Sequence, residues 1–89
     1  MDTSREDFLR VLRDERMTGQ RLRVLLFVAL SVETGRFAPV TPGMIARSLG
    51  IDRGYASRTA GEIERAGYLR KRFVAGKLVG YEVTIRETG

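Results

Sequence analysis

The sequence predicts a small α+β domain, with a three-helix core followed by a β-hairpin and an extra helix at the N-terminus. Apolar residues recur at helical spacing through most of the 89-residue chain. After Gly67 the pattern changes to two runs rich in Val, Tyr, Phe, Ile and Leu, separated by Ala-Gly-Lys at residues 75–77, which is typical of a hairpin. We divide the chain into an N-terminal helix, residues 1–17, and one folded domain, residues 18–86.

The first two helices are predicted from their caps and apolar faces. Ser4 and Asp7 resemble a capping box, which places the first helix over residues 5–17. Thr18 is predicted to cap a second helix over residues 20–33, which is apolar on more than one side, as a central core helix is. Its main buried stripe is predicted to be Leu22, Leu25, Leu26, Ala29 and Leu30.

These two helices together carry more apolar surface than a short helix leaves in water. That surface either folds back on the same domain or joins two copies of the chain, and we favour the second arrangement. The residues assigned to this dimer interface are Phe8, Leu9, Val11, Leu12, Phe27 and Val28.

Two further helices are predicted about a tight turn. Thr41 can cap the third helix with its hydroxyl, and Pro42 suits the first helical position. Gly50 can adopt the left-handed conformation that ends this helix, and Asp52 is a good N-cap for the fourth. Before them, residues 35–40 are predicted to be a connector with a very short edge strand, since the proline in it cannot donate to a ladder.

The fourth helix has one small apolar side and one basic, polar side. Ala56, Ala60 and Ile63 recur at i, i+4 and i+7 and are predicted to face the core. The opposite side carries no large aliphatic residue, which suits entry into the major groove of DNA. In the second strand of the hairpin, Gly80 is predicted to mark a bulge or a close backbone contact.

A family resemblance rests on short patterns in these segments: Ala46, Leu49-Gly50-Ile51, Ser57-Arg58, Ile63, and Glu64 to Leu69 (ERAGYL). Together they resemble the winged helix-turn-helix family, including MarR-type regulators, related bacterial repressors and plasmid replication initiators. The likeness runs from Gln20 to Ile85. It implies a winged-helix fold in which the hairpin is the wing, with double-stranded DNA as the partner. It also favours a homodimer joined through the added N-terminal helix.

The charge distribution predicts a surface for a polyanion. The net charge is +5, yet residues 1–33 hold six Arg against six acidic residues. Residues 53–77 hold seven basic residues against two acidic ones, so the positive potential is confined to the fourth helix and the hairpin. The residues assigned to DNA binding are Arg53, Gly54, Tyr55, Ser57, Arg58, Arg70, Lys71, Arg72 and Lys77.

Different roles follow from the chemistry of these side chains. Arg53 and Arg58 offer paired donors that match a guanine edge or a phosphate, and Gly54 leaves room for the approach of DNA. Tyr55 either binds DNA or packs partly into the core. The basic residues of the hairpin are assigned to phosphates, which set affinity and register more than sequence preference.

The composition excludes several functional classes. The chain has no Cys and no His, which removes disulfides, thiolate or imidazole metal sites and every nucleophile–His pair. We therefore expect no enzyme activity, no metal and no cofactor. The apolar run at residues 24–30 is too short to span a bilayer and the N-terminus does not resemble a secretory signal, so we expect a cytoplasmic protein without a membrane partner.

Three functions remain open from the sequence. The first is a small transcriptional regulator that binds specific duplex DNA as a homodimer. The second is a plasmid or phage replication or partition protein that binds origin repeats through the same domain. The third is a winged helix used for protein–protein contact, which would require an apolar or acidic face where this chain is basic.

Overall fold

Four helices precede a β-hairpin in residues 5–85, the part of the chain that the computed structural model describes. A two-residue strand between the second and third helices completes a three-stranded sheet. This arrangement confirms the predicted α+β class, with its three-helix core, its hairpin and its extra N-terminal helix. The elements in order are α1 (Arg5–Arg13), α2 (Gln20–Leu30), β1 (Phe37–Ala38), α3 (Pro42–Leu49), α4 (Arg53–Arg65), β2 (Leu69–Val74) and β3 (Lys77–Val83).

β3 is the central strand of the antiparallel sheet, whose order is β1-β3-β2. β1 pairs with it at Phe37 and Ala38, which confirms the predicted short strand at the sheet edge. The hairpin closes through Ala75 and Gly76, both of which have positive φ (51° and 79°). Two such residues give the turn a twist that matches the right-handed twist of the strands, as in a type I′ turn.

Gly80 lies where β1 meets β3. A Cβ atom at this position would lie 2.2 Å from the carbonyl oxygen of Ala38 and 2.8 Å from a ring carbon of Phe37. The ladder between β2 and β3 changes register at the same level, between Arg72 and Phe73. The bulge and the close contact predicted as alternatives for Gly80 therefore occur together.

The predicted caps of α3 and α4 are confirmed. The Thr41 hydroxyl accepts a hydrogen bond from the N–H of Met44 at 3.4 Å, and Gly50 ends α3 with φ 68°. A carboxylate oxygen of Asp52 accepts a hydrogen bond from the N–H of Tyr55 at 3.1 Å. α4 thus begins directly after a tight turn, and its predicted inner residues, with one threonine beside them, are buried: Ala56, Thr59, Ala60 and Ile63.

α1 is shorter than predicted, and Thr18 does not cap α2. α1 ends at Arg13 because a carboxylate oxygen of Asp14 accepts the backbone N–H of Arg16 at 2.9 Å and turns the chain. The N-cap position of α2 belongs to Gly19, which has φ 57° and makes no side-chain cap bond. The predicted capping-box residue 4 and the predicted domain end at residue 86 lie outside the described residues.

The buried face of α2 differs from the predicted stripe. Leu26 and Leu30 are exposed, whereas Val24 and Val28 are buried with the rest of the core. Apolar residues extend nearly all round the middle of α2, so their spacing did not single out one face. Packing against α4 and α3 selects the face that is buried.

α1 packs on its own domain. Val11 belongs to the core with 1% exposure, and a guanidinium N–H of Arg10 donates to the carbonyl of Ile85 at 3.0 Å. Val28 is also fully buried, at 0%. The assignment of Val11 and Val28 to a dimer interface was therefore wrong, because neither side chain has surface left to offer to a second copy.

Candidate nucleic-acid interface

The first part of α4 brings together the five helix residues assigned to DNA. All of them are exposed, and they lie across the helix from the buried alanines of the core. Tyr55 is 39% exposed, so part of its side chain is accessible to a ligand and the rest is covered by the protein. The group consists of Arg53, Gly54, Tyr55, Ser57 and Arg58.

The side chain of Arg58 lies back along the surface of α4. Its guanidinium carbon is 5.8 Å from the ring centroid of Tyr55, within range of a cation–π contact. A Cβ atom added at Gly54 would be 3.9 Å from Arg58 Nη1 and only 3.0 Å from a carboxylate oxygen of Asp52. Glycine at position 54 therefore leaves space both for Arg58 and for the side chain that caps the helix.

Arg53 extends from the start of α4 toward the first turn of α3. A Cβ atom added at Gly43 would lie 3.8 Å from Arg53 Nε. Among residues 5–85, no carboxylate forms an ion pair with Arg53 or Arg58. Both guanidinium groups therefore present donors to solvent, or to a ligand that approaches α4.

The basic residues of the hairpin lie on different faces. Lys71 is opposite the buried Tyr81, and its ammonium group is 3.6 Å from Glu64 on α4. Because side chains alternate along a strand, Arg70 and Arg72 project from the other face, away from α4. Lys77 lies at the start of β3, beside the turn.

Carboxylates pair with much of the positive charge of the hairpin. Arg70 and Arg72 both contact Glu82 of β3, at 2.9 Å and 3.1 Å. Glu82 lies outside the basic segment defined by sequence and is placed beside it by the cross-strand register with Arg70. The positive potential of the hairpin is therefore lower than the local composition indicated, while that of α4 is not reduced by such pairs.

Sequence reasoning missed an ion pair on the flank of α4. Arg21 of α2 donates two hydrogen bonds to Glu62, from Nε at 3.1 Å and from Nη2 at 3.2 Å. The hydrogen bond from Arg21 lowers the pKa of Glu62 from its ordinary value, and the same bond raises the pKa of Arg21. These residues line a cavity of about 280 Å³ with Arg16 and Arg65. The pair is 41 positions apart, so no local pattern could reveal it.

Comparison with protein-family models gives a match to the MarR family over residues 17–77. The match covers well over half of the chain. This protein belongs to the MarR family. Neither a search of curated proteins nor a search of solved structures returned a match. The predicted resemblance is confirmed at the level of family and fold, and the hairpin is the wing of a MarR-type winged helix.

The matched region of this MarR-family protein runs from Met17, within the α1–α2 loop, to Lys77 at the start of β3. It includes α4 and its exposed arginines, whereas Glu82 lies beyond it. Within residues 5–85, no helix is long and apolar enough to cross a membrane. The same residues contain no group of three or more acidic, His or Cys side chains that could hold a metal ion.

Four of the residues assigned to a dimer interface keep exposed surface in this MarR-family chain. Leu12 is 61% exposed, and Phe8, Leu9 and Phe27 are partly buried. Leu30 is the most exposed of the large apolar side chains among the described residues, at 85%. Apolar surface therefore remains on both α1 and α2 after the chain has folded.

Proposed function

We propose that this MarR-family protein is a transcriptional regulator that binds specific double-stranded DNA as a homodimer. The observation that carries the proposal is the position of Arg53 and Arg58 on the exposed side of α4, without an ion-pair partner among residues 5–85. The N–H groups of an exposed, unpaired guanidinium can donate hydrogen bonds to a guanine edge in the major groove or to a phosphate beside it. Tyr55 and Ser57 are exposed next to them and add hydroxyl groups for the same contacts.

The wing supplies contacts to the DNA backbone in this proposal. The exposed cations of the hairpin lie on both of its faces, and phosphate is a ligand that suits them: Arg70, Lys71, Arg72 and Lys77. These contacts would hold α4 in register over the bases. Sequence preference then comes mainly from α4.

A homodimer doubles the length of the site. One helix contacts few base pairs, whereas two copies about a two-fold axis read two half-sites about one helical turn apart. Leu12 on α1 and Leu30 on α2 are both exposed, and a contact between two copies would bury this apolar surface.

The other functions have weaker support. A protein–protein module would need an apolar or acidic face on α4, and the exposed side of α4 is basic. The MarR-family match supports a regulator over a replication or partition protein.

A selection experiment tests the proposal directly. Duplexes bound by the protein are enriched from a random pool, and their affinity is then measured by fluorescence anisotropy at several salt concentrations. We expect enrichment of a two-fold symmetric sequence and a log–log salt slope of about −4 to −5 per subunit, for some 4–6 neutralised phosphates. No binding at low salt, or a flat salt response, would refute the DNA-binding function.

A further inference from the structure

A single carboxylate, Glu82, holds two of the four cations of the wing. Its Oε1 atom lies 2.9 Å from Arg70 Nη2, and its Oε2 atom lies 3.1 Å from Arg72 Nη1. The Glu82 side chain is 18% exposed, whereas each arginine is about half exposed. The two oxygens of one partly buried carboxylate therefore contact two different guanidinium groups.

Arg72 has a second contact that restrains it. Its guanidinium carbon lies 5.9 Å from the ring centroid of Phe37, within range of a cation–π interaction. The Phe37 ring packs across Gly80, where any side chain would displace it. Arg72 is therefore held between an aromatic ring and a carboxylate, on the sheet face that points away from α4.

Positive charge surrounds Glu82. The pKa of Glu82 is lowered from its ordinary value, mainly by the hydrogen bond from Arg70. The positive charges of Arg70, Arg72 and Arg36 lower it further. Glu82 is therefore ionised at neutral pH. It cancels one positive charge on the part of the wing that is offered to phosphates.

We propose that Glu82 is a positioning and specificity-determining residue of the DNA-binding surface. It orients Arg70 and Arg72, and it lowers the affinity of the wing for DNA of arbitrary sequence. This inference rests on the proposed DNA-binding function. A phosphate on any duplex must compete with Glu82 for these arginines, because a carboxylate and a phosphate use the same guanidinium donors. The cost of this competition is the same on every duplex, and only duplexes that α4 also recognises gain base contacts that offset it.

The test compares Glu82→Gln with Glu15→Gln in the full chain. Both substitutions remove one negative charge, but Glu15 is exposed in the loop after α1 and is not part of the cluster of Glu82 with Arg70 and Arg72. Binding to a random-sequence duplex is measured by anisotropy between about 50 and 200 mM salt. For Glu82→Gln we expect a salt slope steeper by about 0.9, which corresponds to one more phosphate neutralised, and affinity higher by roughly five- to tenfold at 0.1 M salt. For Glu15→Gln we expect the wild-type slope.

Glu82→Asp separates charge from orientation. The shorter side chain keeps the charge but cannot place its two oxygens on both arginines at the observed distances. We expect the wild-type salt slope on random duplex together with weaker binding to the selected site, so the ratio of specific to random affinity falls. This variant also tests the proposal if Glu82→Gln fails to give a cooperative thermal melt.

The outcomes distinguish this inference from the proposed function. If the wild-type protein does not bind duplex DNA, the proposed function fails and this inference fails with it. If the wild type binds but Glu82→Gln has the slope of Glu15→Gln, the inference alone is overturned. If Glu82→Asp keeps the wild-type ratio of specific to random affinity, the positioning role is overturned.

Discussion

The hydroxyl of Tyr68 donates a hydrogen bond of 2.5 Å to a carboxylate oxygen of Asp14. Tyr68 directly precedes β2, and Asp14 follows α1, so this bond ties the N-terminal helix to the start of the wing. The pKa of Asp14 is held far below its usual range, mainly by hydrogen bonds from Arg16 and secondly by the hydrogen bond from Tyr68. Burial, followed by the bond to Asp14, raises the pKa of Tyr68.

The depressed pKa of Asp14 predicts a loss of stability in acid. The carboxyl group of the unfolded chain takes up a proton near its ordinary pKa of about 3.9, at a higher pH than the folded one. The stabilisation by Asp14 is therefore complete above about pH 5 and is lost progressively as the pH falls below about 4. We expect the free energy of unfolding, measured by urea titration at a series of pH values, to fall over that range.

Asp14→Asn provides the control for this prediction. It should be less stable than the wild type at pH 7, and its stability should depend less on pH between about 5 and 2, because the titrating group is gone. If the free energy of unfolding falls equally with decreasing pH in the two proteins, other carboxylates cause the loss.

Two arginine substitutions should weaken DNA binding in different ways. Arg58→Ala should reduce affinity for the selected site by about 1–3 kcal/mol and relax the preference at one base position. Arg72→Ala should weaken all duplexes nearly equally and reduce the magnitude of the salt slope by about 1, as expected for a phosphate contact. Anisotropy with matched and single-mismatch duplexes measures both effects. Equal, sequence-independent losses from the two variants would assign Arg58 to a phosphate as well.

Two glycine substitutions should change stability in opposite directions. In Gly80→Ala the new Cβ atom would clash with the backbone carbonyl of Ala38, so we expect the free energy of unfolding to fall by about 1–3 kcal/mol. In Gly61→Ala the nearest atom is 4.0 Å away, at the mobile end of Arg65, and the helix should gain about 0.5–1 kcal/mol. Urea unfolding of both variants is the measurement. A neutral Gly80→Ala would mean that β1 leaves the sheet at little cost.

The exposed apolar surface predicts a dimer that a surface substitution can weaken. Leu30→Ser removes the largest exposed apolar side chain of α2, which would stabilise an interface by about 1.5–3 kcal/mol if fully buried there. Sedimentation should show a wild-type dimer at tens of micromolar and a shift toward monomer in Leu30→Ser, with an unchanged thermal melt. Glu15→Gln serves as the control for an exposed change elsewhere. A monomeric wild type would contradict the dimer.

Features that depend on neighbours in sequence could be predicted. The caps at Thr41 and Asp52, the left-handed Gly50 and the hairpin turn all follow from residues within a few positions of one another. The exposed side of α4 follows equally well, because Ala56, Ala60 and Ile63 mark the buried side without ambiguity.

Features that depend on contacts between residues far apart in the sequence could not be predicted. The contact of Glu82 with Arg70 follows from the strand register, and that of Glu62 with Arg21 from the packing of α2 on α4. The orientation of α2 was missed for another reason: with apolar residues on most sides, its pattern allowed Val28 to face either the core or a partner. Tertiary contacts decide which face of α2 is buried, and the spacing of apolar residues alone cannot.

The central position of β3 has a consequence for how the chain acquires its structure during synthesis. β1 and β2 both precede β3 in the chain, yet each forms its ladder with β3 and neither pairs with the other. The helices depend mainly on near neighbours and can form while the ribosome is still extending the chain, whereas contacts between distant residues form more slowly. The wing and the edge strand can therefore form their ladders only once residues 77–83 have emerged.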